Sequence, residues 1–206
     1  PLRPRLDFWR PGRTYTRLRA RRRRRRFLTA LPYANALICR PRGGLNDSLV
    51  RIGVCLHYAQ CFQRQLVIDS TRSGLLDHWD HYFDPAFPSA NLQLRLSVEL
   101  CERYAALSCR PAVLNRIGLD YSTIYDEQRG RFLEASSGEC LDFDLGQPQP
   151  EQLLVYEQWG GGHGLEALSF FRLTPEVRSE VQRRLASLPA VYMAAHIRHS
   201  DASSDY

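Results

Sequence analysis

The 206-residue chain contains no lysine; all 28 of its basic residues are arginine. That absence excludes a G-x-x-x-x-G-K-[ST] phosphate loop, whose lysine reaches the β- and γ-phosphates. No run approaches the ~18 consecutive apolar residues of a membrane-spanning helix. No cysteine pair has C-x-x-C spacing, and no Cys/His cluster has zinc-finger spacing. No apolar segment of ~7–15 residues follows the N-terminal charges, so they do not read as a secretory leader, and a cytoplasmic location is expected. With 44% apolar and 24% charged residues, the composition is that of a globular protein, not a wholly disordered or collagen-like one.

Six cysteines are present, Cys39, Cys55, Cys61, Cys101, Cys109 and Cys140, and reduced thiols are expected. Cys55 and Cys61 lie in an apolar helical pattern, where free cysteine behaves as a small core residue. None reads as a catalytic thiol.

Charge is unevenly divided. Residues 1–26 carry 12 arginines against the single acid Asp7; residues 27–206 carry 16 arginines against 21 acids, a charge of −5. The basic pI of about 9.2 therefore belongs to the N-terminal segment. Residues 1–26 read as a disordered Arg-rich tail, because dense like charge repels and offers no apolar face. The rival reading is a nucleic-acid arm. The acidic remainder opposes a wide basic face, and nucleic acid is not an expected partner.

The ordered part alternates strand and helix signals. Ala36–Cys39 reads as a buried strand that enters a loop through Gly44. An apolar stripe from about Asp47 to Phe62 predicts a helix, with Asn46, Asp47 or Ser48 as its cap. Gln65–Asp69 predicts a second strand, which completes a βαβ unit. Residues 77–84 are polar and aromatic. His78 and His81 with Asp77, Asp80 and Asp84 resemble metal ligands, but the pattern reads better as a loop packed on the domain, and no metal is expected. Further signals are a strand at 92–96, a helix at 98–107, a strand at 140–145 and a strand at 153–157. Gly160–Gly164 reads as a flexible loop. Thr174, Pro175 and Glu176 open a helix as N-cap, first position and first turn. Val191–Ala195 predicts a buried strand, with His196–Asp201 at its carboxyl end, where open α/β sheets place ligand contacts.

Two segments carry chemistry. In Arg42-Gly43-Gly44-Leu45-Asn46-Asp47 the glycines permit a sharp turn and close backbone approach, and the following helix start favours anions. Taken alone, the pair also fits a simple tight turn and helix cap. In His196-Ile197-Arg198-His199-Ser200-Asp201 the guanidinium can take a diphosphate in bidentate fashion.

Together with Leu66-Val67-Ile68-Asp69, these segments resemble the GDP-fucose-dependent fucosyltransferases of the GT-B fold, and bacterial nodulation-type chitooligosaccharide fucosyltransferases above all. The resemblance covers about residues 35–70 and 165–206. It implies a Rossmann-like parallel α/β sheet forming the N-terminal half of a GT-B glycosyltransferase. Residues 27–190 would form the acceptor-side domain, and 191–206 would begin the donor-binding domain, whose remainder would follow Tyr206. It further implies inverting transfer of fucose from GDP-fucose to a glycan acceptor, without a metal or other cofactor. Arg198 and Asp201 would be catalytic; Gly43, Gly44, Asn46, His196, Arg198 and His199 would bind the donor. The 206 residues alone would have little or no transferase activity. The remaining alternatives are a non-catalytic glycan- or nucleotide-binding remnant and a different sugar-nucleotide enzyme that uses the same phosphate chemistry.

Overall fold

The computed structural model describes residues 22–28, 30 and 32–189. The predicted strand at 191–195 and the motif residues His196, Arg198, His199 and Asp201 lie outside the described residues, as do residues 1–21.

Five parallel strands make the central sheet: β1 (Ala36–Arg42), β2 (Gln65–Ile68), β4 (Leu92–Gln93), β5 (Cys109–Arg110) and β8 (Leu153–Trp159), in the order β4-β2-β1-β8-β5. The architecture is α/β and Rossmann-like. The expected neighbours β1 and β2 are adjacent and parallel, with Ala36 opposite Gln65. The stretch 92–96 yields only the two-residue β4, and 140–145 only an isolated bridge from Leu133 to Cys140. β6 (Thr123–Asp126) and β7 (Arg131–Glu134) form an antiparallel hairpin, and β3 (Phe83–Pro85) with β9 (Phe171–Leu173) a further two-stranded sheet.

β1 and β8 are longer than the expected strands at 36–39 and 153–157, whereas β2 ends one residue before Asp69. β1 continues through Arg40 and Arg42, paired with β8 as far as Trp159. Charge ends an apolar pattern, but it does not end a strand when buried acids stand beside it.

Side chains alternate across the sheet. Leu37, Cys39, Leu66, Ile68 and Leu154 occupy one face, and helix α2 (Leu45–Phe62) supplies the buried Leu49, Ile52, Cys55, Leu56 and Ala59. The other face carries Ala36, Ile38, Val67, Leu153 and Val155. They pack with Tyr104, Val113, Leu114, Tyr121, Phe132 and Leu141. These come from α3 (Val98–Tyr104), α4 (Leu114–Ile117) and the connections around the hairpin. Residues 77–84 pack as a loop: Trp79 is fully buried, stacked on Phe83 with ring centroids 4.6 Å apart.

Two expectations need correction. The first turn of α2 begins at Leu45 with Gly44 as N-cap and no side-chain cap, so Asn46, Asp47 and Ser48 lie inside the helix. Asp47 still suits the positive end of the helix dipole. Second, residues 22–28 form a helix, α1, which takes residues 22–26 out of the expected disordered tail. Arg24 donates to the Ser169 carbonyl at 2.6 Å and lies 4.2 Å from the centroid of the Phe170 ring. Phe27 is buried, and its carbonyl accepts from Asn91 at 2.9 Å. Aromatic faces and a carbonyl thus take up charge that would otherwise repel.

The chain divides into two compact units between Arg172 and Leu173. In the second unit α5 (Pro175–Ala186) starts as predicted, with the Thr174 hydroxyl accepting from the Val177 amide. Arg183 grips Glu180 through two hydrogen bonds of 2.8 and 2.7 Å. No helix among the described residues is long and apolar enough to cross a membrane.

Candidate functional site

The carboxyl ends of β1, β2 and β8 bring together three sequence-distant segments: the Gly43–Gly44 turn, residues 69–74 and the glycine loop 160–164. Gly43 has φ +83°, and a Cβ there would lie 2.6 Å from Asp47 Oδ2, so the turn requires glycine. Its carbonyl accepts from the Gly74 amide at 2.7 Å, which ties the turn to the segment after β2.

Asn46 faces the glycine loop. Its Nδ2 donates to the Gly162 carbonyl at 3.0 Å, and its Oδ1 accepts from the Gly164 amide at 3.4 Å. The loop lies directly on the first turns of α2. A Cβ on Gly160 would overlap the Asp47 backbone, and one on Gly164 would stand 2.5 Å from the Val50 nitrogen. Gly44 meets nothing within 4 Å of where a Cβ would stand. Of the predicted site residues, the structure therefore places Gly43, Gly44 and Asn46 at one edge of the sheet.

Beneath this edge lies a buried ionic lattice that the sequence reading missed. Arg40 and Arg42 point to the same sheet face as Ile38, and Glu157 to the same face as Val155. Arg40 Nε donates to Asp69 Oδ2 at 2.8 Å, with only 4% and 7% of the two side chains exposed. Arg42 Nε donates to Glu157 Oε1 at 2.7 Å, and its Nη2 makes a second, shorter contact to the same oxygen. Arg42 also donates to Thr123 Oγ1 at 2.7 Å and to the Arg72 carbonyl at 3.1 Å. Arg72 sits 3.8 Å from Glu157 Oε2, and that oxygen accepts from the Tyr121 hydroxyl at 2.8 Å. The Arg40 and Arg72 guanidinium groups lie over the Tyr121 ring at 4.7 and 4.4 Å.

Three guanidinium groups thus surround two buried carboxylates. Burial pushes the Asp69 carboxyl up, but the Arg40 charge and the Thr71 hydrogen bonds outweigh it and hold Asp69 below its ordinary range. Burial likewise raises the Tyr121 phenol, which stays protonated and donates to Glu157. For Arg72, burial and the neighbouring Arg40 charge lower the guanidinium, though not out of its charged range. Arg40 Nη1 is buried without a hydrogen-bond partner. Asp120 stands 4.0 Å from the Arg72 guanidinium, so three carboxylates face the three arginines and the lattice is close to neutral. A signal for it existed in the alternation Arg40-x-Arg42 and in acids ending two strands.

Among the described residues, no group of three His, Cys, Asp or Glu side chains is placed to hold a metal ion. In the 77–84 segment, His81 Nδ1 instead pairs with Asp77 Oδ1 at 2.7 Å.

No known protein-family profile matches the chain, and no curated protein sequence does. Among solved structures it is similar to the fucosyltransferase NodZ from Bradyrhizobium, at 17% identity and a TM-score of 0.48. It is also similar to NodZ α1,6-fucosyltransferase soaked with GDP-fucose, at 18% identity and a TM-score of 0.46. In each case the match covers 74% of this chain, which spans 55% of the NodZ chain.

Proposed function

We propose that this chain is the acceptor-side part of a GDP-fucose-dependent, inverting glycosyltransferase that works without a metal. The observation that carries the reading is the adjacency of the Gly43–Gly44 turn and the Asp69-ended strand at the carboxyl edge of one parallel sheet. This is the order in which the fucosyltransferase motifs are expected, at the edge where α/β sheets receive ligands. In this reading the turn and Asn46 face the donor, and the strand-end motif supplies His196, Arg198, His199 and Asp201. Arg198 holds the β-phosphate and stabilises charge on departing GDP, a task suited to a guanidinium fork. Binding that strengthens as GDP leaves lowers the barrier rather than merely the KM.

GDP-fucose turnover by this chain joined to its donor-binding domain tests this, measured beside Arg198→Ala and Arg198→Lys. We expect turnover that Ala abolishes and Lys weakens at least about tenfold, since Lys keeps the charge but not the fork. Absence of turnover, or equal turnover by all three proteins, overturns the reading.

A further inference from the structure

Far from the sheet edge, one thiol has the partners of a nucleophile. Cys61 stands in the last turn of α2, one turn after His57, and its Sγ lies 3.6 Å from His57 Nε2. Arg23, from α1, donates to the same sulfur at 3.1 Å. Arg23 is held in place by its neighbours: Arg24 is fixed on the Ser169 carbonyl and the Phe170 ring, and Phe27 is buried. Sequence spacing did not reveal this, because Arg23 lies 38 residues from Cys61.

The other five thiols differ. Cys39, Cys55 and Cys109 are buried. Burial pushes Cys109 up to about 12, and raises Cys39 and Cys101 as well. Cys140 has an arginine, Arg131, at 3.3 Å, but among the described residues no histidine stands at its sulfur. Cys61 is partly exposed and has both. Burial, together with the nearby Arg23 charge, lowers His57, which favours the neutral imidazole, the form that can take up a proton, while making it a weaker base.

We propose that Cys61 is a site of thiol modification by small electrophiles, hydroperoxides among them, with His57 accepting the thiol proton and Arg23 holding the thiolate. With a hydroperoxide, the sulfur attacks the nearer oxygen and the O–O bond breaks. The leaving oxide takes the proton from His57, giving sulfenic acid and water or an alcohol. With iodoacetamide, the sulfur attacks the methylene carbon and iodide leaves.

Residue-resolved mass spectrometry after brief, limiting iodoacetamide treatment of the native chain tests the proposal. Cys61 is expected to label about tenfold faster than Cys140 and faster still than Cys101. His57→Ala and Arg23→Ala should each slow Cys61 several-fold and leave Cys140 unchanged, while Arg23→Lys retains much of the rate. In guanidinium chloride the six rates should converge. Peroxide followed by dimedone should tag Cys61 first. Labelling of Cys61 no faster than Cys140, or rates indifferent to His57 and Arg23, overturns the proposal. Iodoacetamide selectivity without dimedone trapping overturns its peroxide part.

Discussion

One face of the central sheet is two different materials. At its amino end Ala36, Ile38, Val67, Leu153 and Val155 form a dry apolar core. At its carboxyl end the same strands carry Arg40, Asp69 and Glu157, buried nearly as deeply, and the partly exposed Arg42. Hydrocarbon burial stabilises by about 25 cal/mol per Å². Burying ions costs several kcal/mol each before their attraction returns any of it. The apolar end therefore accounts for stability, and the ionic end needs another reason to exist. A lattice of crossed guanidinium–carboxylate pairs ties the strand ends together beside the Gly43–Gly44 turn, where the proposed function places the donor contacts.

The comparison breaks most visibly at Glu157. It is fully buried and holds Arg42, Arg72 and Tyr121 together. Glu157→Ala strands two guanidinium groups and should cost about 3–5 kcal/mol in urea denaturation. A loss under about 1 kcal/mol would mean that water or rearrangement replaces the carboxylate. At the apolar end, Ile38→Ala should cost about 2–5 kcal/mol by leaving a cavity. If the two ends are separate materials, the two losses add within about 0.5 kcal/mol in the double variant; stronger coupling would show one cooperative layer.

The Arg40–Asp69 pair sharpens the contrast. Asp69→Asn alone should destabilise, because Arg40 is 4% exposed and loses its counter-charge. Replacing both at once, Arg40→Met with Asp69→Leu, should bring stability back to within about 1–2 kcal/mol of the native chain or above it. Thermal melts of the single and double variants decide it. A double variant as unstable as the single one would show the pair to be structurally required. Gly160→Ala is milder. Its Cβ would overlap the Asp47 backbone, so the loop must shift from α2 at a cost of about 1–3 kcal/mol. Unchanged stability there would show a loop free to move.

The apolar half was legible in the sequence and the ionic half was not, for one physical reason. Runs such as Ala36–Cys39 and Leu66–Ile68 announce themselves by hydrophobicity, and they show the helix between them and the parallel pairing of β1 with β2. Arg40 and Arg42 look like the end of a strand, because a lone charge belongs in water. They stay in the sheet only because Asp69 and Glu157, 29 and 115 residues away, supply the opposite charge. Periodicity sees neighbours and cannot see such partners. The same blindness hid Tyr121, and it made residues 22–26 look wholly solvated although Ser169 and Phe170 receive Arg24. Gly43 forms the expected turn, but Asn46 lies inside α2 rather than capping it, and its bond to the glycine loop required coordinates.

The smallest expected effect concerns a carboxylate held by neutral donors rather than by arginine. Glu134 ends β7 and accepts at 3.0 Å from the Ser136 amide, and at 2.8 Å each from the Ser136 hydroxyl, the Ser137 amide and the Ser137 hydroxyl. The Ser136 amide is the main cause that holds its carboxyl down at about 2, against an ordinary value of 4.5, with burial opposing. The folded chain therefore binds this proton later than the unfolded chain does. The contribution is complete above pH 4.5 and disappears as pH falls toward about 2. Asp69, Asp77, Glu99 and Glu180 act in the same direction, so the Glu134 part must be isolated by substitution. Glu134→Gln should flatten the fall in melting temperature across that window, and should speed amide exchange at Ser136 and Ser137 at neutral pH. An acid profile identical to that of the native chain would show that the serine turn holds without the carboxylate's charge. Buried acids in this fold would then owe their effect to arginine alone.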